Sequence, residues 1–227
     1  MMKRKELEIL ILTIAVNVIL TFGISLLFGI SYYYLYRIWD ASDYITMAEN
    51  GIYPASNRYF TLRFMLFPVI LSLIYKIPAD HNLLTFIYLC VINALSSVVF
   101  FRICKLYFDE DTSFLLALVF IFFPPRKLTL SVISMSESTA LLFLMLSYLY
   151  FKESRYLMSS VFLTLTTLTR FNFFLSIIPM GPALPVEAWE QSSILIPNLL
   201  FPIQNFLSGR GRFTLGQKEI PCIFIRF

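Results

Sequence analysis

The chain has 227 residues, of which 58% are hydrophobic and 14% charged, and its mean hydropathy is +0.75. Because a soluble domain has about 25% charged residues, this composition argues against an ordinary soluble protein and indicates an integral membrane protein. The net charge of +4 comes from scattered basic residues. The sequence lacks a basic run interleaved with aromatic residues, the pattern that would indicate nucleic-acid binding. Three cysteines without CxxC spacing predict free thiols, and a single histidine excludes a His-rich metal site.

The first apolar segment covers residues 9–30, which carry no charge and are long enough to cross the ~30 Å hydrocarbon core of a bilayer. The basic start MMKRKE precedes it, and no small-residue cleavage site is evident. We therefore predict an uncleaved span with a cytoplasmic N-terminus. Polar residues recur every four positions on one face of this helix, which predicts packing against other spans: Thr13, Asn17, Thr21 and Ser25.

The following segment, residues 37–63, is polar enough to leave the membrane on the extracytoplasmic side. It holds an acidic and aromatic cluster: Trp39, Asp40, Asp43, Tyr44 and Glu49. Asp40 and Asp43 would share a face of a short helix, with Glu49 near its other end and Gly51 ending it. Trp39 and Tyr44 offer the stacking surface that sugar sites often need, but the residues alone favour an interfacial amphipathic helix that turns its acidic residues to water.

The later apolar segments permit two topologies. Residues 64–77 are short and contain Pro68, so they either cross the membrane or turn back within it. Further spans are predicted over residues 83–101, 128–151 and 156–178, and residues 113–125 form a short apolar run that is stopped by the tandem prolines of FPPRK. If residues 64–77 turn back, four basic residues become cytoplasmic: Arg102, Lys105, Lys152 and Arg155. Three other basic residues and one acidic residue then lie on the side of Asp40: Arg126, Lys127, Arg170 and Glu137. We favour this arrangement because it gathers the buried charges on one side.

Glu137 and Arg170 are single charges within predicted spans. Each costs about 2.5–3.5 kcal/mol on insertion scales and needs compensation. They could pair with each other or reach the interface, or they could line a polar site. A guanidinium matches a phosphate bidentately, so Arg170 would suit a lipid phosphate.

Three blocks of the chain resemble, in the same order, blocks of the PIG-V-type mannosyltransferases of the GT-C superfamily. The first is the pattern Trp39-Asp40-x-x-x-Tyr44-x-x-x-Ala48-x-x-Gly51-x-Tyr53, followed by Phe67 and Pro68 in RFMLFP, where Met65 replaces a proline of the family. The second is Ser136-Glu137-Ser138, and the third is Leu168-Thr169-Arg170. Members of the family have several further spans that have no counterpart after residue 180.

The resemblance implies an all-α, polytopic membrane protein with a GT-C-like bundle of about five or six transmembrane or re-entrant helices and an extracytoplasmic first loop. The bundle would occupy residues 1–180. Residues 181–227 form an atypical tail rich in proline and glycine, which we expect to be disordered, truncated or frame-shifted. The membrane would be that of the endoplasmic reticulum or a prokaryotic plasma membrane.

The resemblance also implies an activity. Such enzymes move a sugar, mannose in this family, from a polyprenyl (dolichyl) phosphate to a glycolipid or glycan acceptor with inversion. Asp40 matches the position of the general base. The remaining candidates would bind substrate: Trp39, Asp43, Tyr44, Glu49, Glu137, Arg170, Arg126 and Lys127. Two close carboxylates could also bind Mg²⁺ or Mn²⁺, although nothing in the sequence requires a metal. The alternatives are a non-catalytic membrane subunit and a transporter that uses Glu137 and Arg170 as intramembrane charges.

Overall fold

The computed structural model describes residues 4–50, 65–123, 128–129 and 132–170, together with the backbone of residues 214–215 and 218–219. The predicted site residues Arg126 and Lys127, and most of the tail, lie outside the described residues. The chain divides into two compact units, Met1–Ile177 and Ile178–Phe227. In the second unit, β1 (Thr214–Leu215) pairs antiparallel with β2 (Lys218–Glu219).

The described residues of the first unit form helices joined by turns. In chain order these are α1 (Arg4–Phe28), α2 (Tyr32–Leu35), α3 (Ala41–Asn50), α4 (Leu66–Ile74), α5 (His81–Cys104), α6 (Glu110–Phe122), α7 (Ser136–Lys152) and α8 (Tyr156–Thr169). By length and composition, α1 and α5 could each cross a membrane, and α8 is apolar but shorter. Its 14 residues extend about 21 Å.

Two helix starts, those of α5 and α6, are set by aspartate caps that hydropathy did not reveal. The Asp80 side chain accepts a hydrogen bond from the Leu83 amide at 2.8 Å, so α5 begins at His81 rather than at residue 83. The Asp109 side chain accepts hydrogen bonds from the backbone amides of Asp111 and Thr112, both at 3.1 Å. Helix α6 therefore begins at Glu110, before the predicted residue 113.

Two predicted helices differ from the observed ones near the candidate site. The prediction of one helix over residues 128–151 is wrong, because Met135 has an extended backbone (φ −116°, ψ 150°) and α7 begins only at Ser136. Met135 and Ile133 pack against Ala41, which holds this segment out of the helix. The prediction that Arg170 lies within a helix is also wrong: it follows α8 in an extended conformation (φ −159°) and pairs with Glu137.

Helix α1 packs on α5 along the predicted polar stripe. Thr13, Asn17 and Thr21 are buried, which confirms the predicted packing face. Helix α5 also carries buried polar residues, and each donates a hydrogen bond to a carbonyl four residues earlier: Asn93, Ser96 and Ser97. The other side of α1 exposes large apolar side chains, with Ile19 68% and Leu26 84% exposed.

The helices bring two sets of termini together, and we name these ends by one residue each. At the Glu6 end, the start of α1, the end of α5 and the turns before α6 and after α7 meet; Glu6 pairs with Arg102, and Lys5 with Asp111. At the Asp40 end lie α2, α3, α4, the starts of α5 and α7, and the end of α8. The start of α5, which follows α4, lies at the same end of the bundle as α3, since His81 is 3.5 Å from Glu49. The chain between α3 and α5 therefore does not cross to the Glu6 end, which is the arrangement in which residues 64–77 turn back.

Candidate functional site

A strained turn presents Trp39 and Asp40. Trp39 has φ of 56°, in the left-handed region, and is 68% exposed. That conformation costs a non-glycine residue about 1–2 kcal/mol, and strained residues concentrate at functional sites. The Ser42 hydroxyl donates to the Trp39 carbonyl at 3.1 Å. The Asp40 carbonyl accepts a hydrogen bond from the Tyr44 amide at 3.3 Å, so Asp40 is the residue that precedes the first turn of α3 and accepts its first hydrogen bond.

Both aspartates therefore lie in the N-terminal turn of α3. Asp40 and Asp43 are partly buried. The positive end of the helix dipole favours carboxylates at this position. The underside of α3 packs into an apolar cluster that includes Tyr36, Ile45 and Phe67. Burial raises the pKa of Tyr36, so its phenol stays neutral.

Tyr44 joins α3 to the start of α7. Its ring stands edge-on against the buried Phe67, with centroids 5.2 Å apart. Its hydroxyl oxygen accepts a hydrogen bond from the Ser136 hydroxyl at 3.3 Å. Because Ala41 also packs on Ile133 and Met135, the aspartate turn and the Ser136-Glu137 block meet although they are far apart in the chain.

Glu137 lies in the first turn of α7, next to Ser136, and its side chain is 9% exposed. Its Oε1 pairs with Nη1 of Arg170, whose side chain is 25% exposed. Its Oε2 is buried and has no hydrogen-bond partner within the described part of the chain. The hydroxyl of Ser134, which is fully buried just before α7, likewise has none there. The pair thus leaves one side of the carboxylate unused.

Glu49 is separated from these residues. It lies at the far end of α3, about 13 Å along the helix from Asp40, and pairs with Arg37 at 2.9 Å. Its second neighbour is His81, which stacks on Tyr75 with centroids 4.3 Å apart. The structure therefore places Glu49 in a separate ion-pair cluster at the same end of the bundle.

The described residues offer few ligands for a metal. Within the described ranges no group of three His, Cys, Asp or Glu side chains lies close enough to hold an ion. Asp40 and Asp43 are the two carboxylates of the site that could contact Mg²⁺ or Mn²⁺ with the help of substrate oxygens.

Sequence reasoning did not identify Ser134 as part of this site, because a serine in an apolar segment carries no local signal of what surrounds its hydroxyl. The single histidine, His81, begins α5 and contacts Tyr75 and Glu49.

Comparison of the chain with protein-family models, curated proteins and solved structures found no match. The resemblance to the PIG-V-type mannosyltransferases therefore rests on the three sequence blocks, and the activity it implies is a proposal.

Proposed function

We propose that this protein is a membrane-embedded, GT-C-like glycosyltransferase that moves a sugar, mannose by the resemblance, from a polyprenyl phosphate to a hydroxyl of a glycolipid or glycan. The observation that carries the proposal is the hydrogen bond between Tyr44 and Ser136. Through it, the turn bearing Asp40 adjoins the turn bearing the Glu137–Arg170 pair, so a carboxylate and a guanidinium from distant parts of the chain lie at one end of the bundle.

The apolar helices support the membrane location that the proposal requires. Helices α1 and α5 have the length and composition of spans, and the outward side of α1 is apolar. Arg4 and Lys5 belong to the basic start that predicts a cytoplasmic N-terminus, and they lie at the Glu6 end. The Asp40 end then faces the lumen of the endoplasmic reticulum or the outside of a prokaryotic cell.

The proposed reaction is a single displacement. The acceptor hydroxyl oxygen attacks the anomeric carbon while the bond from that carbon to the phosphate oxygen breaks, and the configuration inverts. Asp40 takes the hydroxyl proton. The electron pair of the broken bond leaves with the polyprenyl phosphate, which gains one negative charge. Arg170 stabilises that charge.

The neighbouring residues would position the substrates. The exposed indole of Trp39 offers a stacking surface for a sugar ring at the membrane interface. Asp43 lies one turn along the same helix and could accept hydrogen bonds from sugar hydroxyls. Tyr44 holds α3 against α7 and keeps the two halves of the site together.

A second function, that of a non-catalytic membrane subunit, is favoured by a specific observation. Arg170 already has a partner in Glu137, and that partner is nearly buried. If the pair served only to compensate two charges between α7 and α8, the residues would be structural, and the exposed surface around Trp39 would contact another membrane protein.

The test is sugar transfer by the purified full chain in lipid nanodiscs, with farnesyl-phosphate-linked mannose and membrane glycolipids as substrates. We expect Asp40→Asn to lower the rate about 10²–10⁴-fold, the usual contribution of a general base. Asp109→Asn makes the same change at the Glu6 end and should transfer sugar at the parent rate. Undiminished transfer by Asp40→Asn would remove Asp40 as the base, and no transfer by the parent chain would favour the subunit.

A further inference from the structure

The Glu137–Arg170 pair leaves hydrogen-bonding capacity on both side chains. A guanidinium carries five N–H donors, more than Oε1 of Glu137 can accept, and its Nη1 makes the pair. On the carboxylate, Oε1 is engaged, and Oε2 has no donor among the described residues. A buried acceptor without a donor loses its hydration and gains nothing in return. The pair therefore offers one acceptor and several donors side by side.

Arg170 is the accessible member of this pair. Its side chain is 25% exposed, whereas that of Glu137 is 9% exposed. A ligand that approaches the Asp40 end would meet the guanidinium first and, by displacing part of it, reach Oε2 behind it. The positive end of the α7 dipole lies at the same turn and favours an anionic group there.

An acceptor next to a set of cationic donors is complementary to a hydroxyl next to a phosphate. In a sugar linked to phosphate through carbon 1, the hydroxyl on carbon 2 is the one adjacent to the phosphate. We propose that Glu137 Oε2 accepts a hydrogen bond from this 2-hydroxyl while Arg170 donates to a phosphate oxygen. The inference rests on the proposed function, and it makes Glu137 the residue that selects donors by their 2-hydroxyl.

The rival explanation is a water molecule that satisfies Oε2 without any role in recognition. Buried waters normally make two to four hydrogen bonds to protein groups. The hydroxyl of Ser134 is another buried group without a partner in the described ranges. If a water serves Glu137, the 2-hydroxyl of a ligand gains nothing from it, so the two explanations predict different affinities for a 2-deoxy ligand.

The experiment measures equilibrium binding of radiolabelled farnesyl-phosphate-mannose and of its 2-deoxy analogue to the purified full chain. A hydrogen bond to a charged group contributes about 1.5–3 kcal/mol. The parent chain should therefore bind the 2-deoxy analogue about 10- to 150-fold more weakly. Glu137→Met keeps the side-chain length and removes the acceptor, so both ligands should bind it with nearly equal affinity.

Glu137→Gln is the second variant. This variant keeps the shape of the side chain and a neutral carbonyl oxygen as acceptor. Because hydrogen bonds to neutral groups are weaker, the ratio of its affinities for the mannose ligand and the 2-deoxy analogue should lie between the ratios of the parent and of Glu137→Met. Glu49→Met is the matched control, since it removes a paired glutamate at the same end of the bundle and should keep the full discrimination. Thermal unfolding of each variant checks that the chain is folded.

Equal affinity of the parent for the two ligands would overturn the inference. So would undiminished discrimination in either folded Glu137 variant, or failure of the parent to bind both ligands. Sugar transfer is measured separately. Discrimination in binding without transfer would refute the proposed function and leave the recognition by Glu137 standing. Transfer without discrimination would do the reverse.

Discussion

The two ends of the helix bundle each hold a nearly buried glutamate paired with an arginine, and the pairs differ in completeness. The Glu6 side chain is 7% exposed, and both of its oxygens accept hydrogen bonds from Arg102, at 2.9 and 3.0 Å. The Glu137 side chain is 9% exposed, and only one oxygen is engaged. The two glutamates are similarly buried, but among the described residues only Glu6 has a hydrogen-bond donor on both carboxylate oxygens. We infer that the first pair joins helices, while Glu137 keeps one carboxylate oxygen with which a ligand can form a hydrogen bond.

Other polar contacts at the Glu6 end are also satisfied. There the Tyr107 and Tyr148 hydroxyls are hydrogen-bonded, and the Lys152 ammonium lies over both rings. Backbone strain does not separate the two ends, because Trp39 at the Asp40 end and Ser154 in the turn after α7 both have positive φ, 56° and 59°. The difference lies in the unsatisfied acceptor, which is typical of a site that binds something else.

The largest effect should come from removing the two arginines. Arg102→Ala removes both of the hydrogen bonds that Arg102 donates to the nearly buried Glu6, and breaking a buried pair costs about 3–5 kcal/mol. Arg170→Ala removes one engaged contact from a carboxylate that already lacks a second, so its cost should be about half as large. Thermal unfolding of both variants in the same detergent measures the difference.

Glu6→Ala serves as the control for this comparison. It leaves Arg102, whose side chain is 49% exposed, and water can replace the lost partner, so the loss should be about 1 kcal/mol or less. Equal destabilisation by Arg102→Ala and Arg170→Ala would contradict the distinction between the two pairs.

A smaller effect is expected from a hydrogen bond that joins α7 to α8. The buried Ser147 hydroxyl donates to the Ser159 carbonyl at 2.9 Å and contacts its hydroxyl at 3.2 Å. Ser147→Ala should destabilise the protein by about 0.5–1 kcal/mol without changing donor affinity, because the contact lies near the Glu6 end. Ser160→Ala removes a hydroxyl bonded within its own helix and should change neither quantity. A loss of donor affinity in Ser147→Ala would show that the two ends are coupled.

The smallest effect concerns pH at the Glu6 end. A hydrogen bond from the Thr112 hydroxyl, assisted by backbone amides, lowers the pKa of Asp109. A carboxyl with a lowered pKa in the folded protein contributes stability that is fully present above its unfolded pKa, near 4, and is lost as the pH falls through the folded value. The melting temperature of the parent should therefore fall more steeply below about pH 4 than that of Asp109→Asn. Parallel pH profiles would contradict this role for Asp109.

The sequence predicted what depends on local periodicity. The stripe on α1 follows from spacing alone, and its burial against α5 was expected. The return of residues 64–77 was favoured because it placed Glu137 and Arg170 on the side of Asp40. The two helices that are long and apolar enough to cross a membrane, α1 and α5, likewise follow from composition. These features are set by which residues are apolar and how they repeat.

The parts that sequence reasoning missed depend on contacts between distant residues. The start of α7 moved to Ser136 because Ile133 and Met135 pack on Ala41. Glu49 lies at the far end of α3, as predicted, but its pairing with Arg37 was not expected. The unused oxygen of Glu137 depends on how α7 and α8 approach each other. No local pattern encodes any of these, so they required the folded arrangement.

The affinity of the full chain for farnesyl-phosphate-linked mannose, measured after Arg170→Lys and after Arg102→Lys, tests the central claim most directly. Each change keeps the positive charge and removes the planar set of donors that matches phosphate. The account predicts that Arg170→Lys weakens binding about tenfold or more, the loss of one charge-assisted contact, while Arg102→Lys leaves it unchanged. Unchanged binding in Arg170→Lys, or an equal loss in both variants, would contradict it.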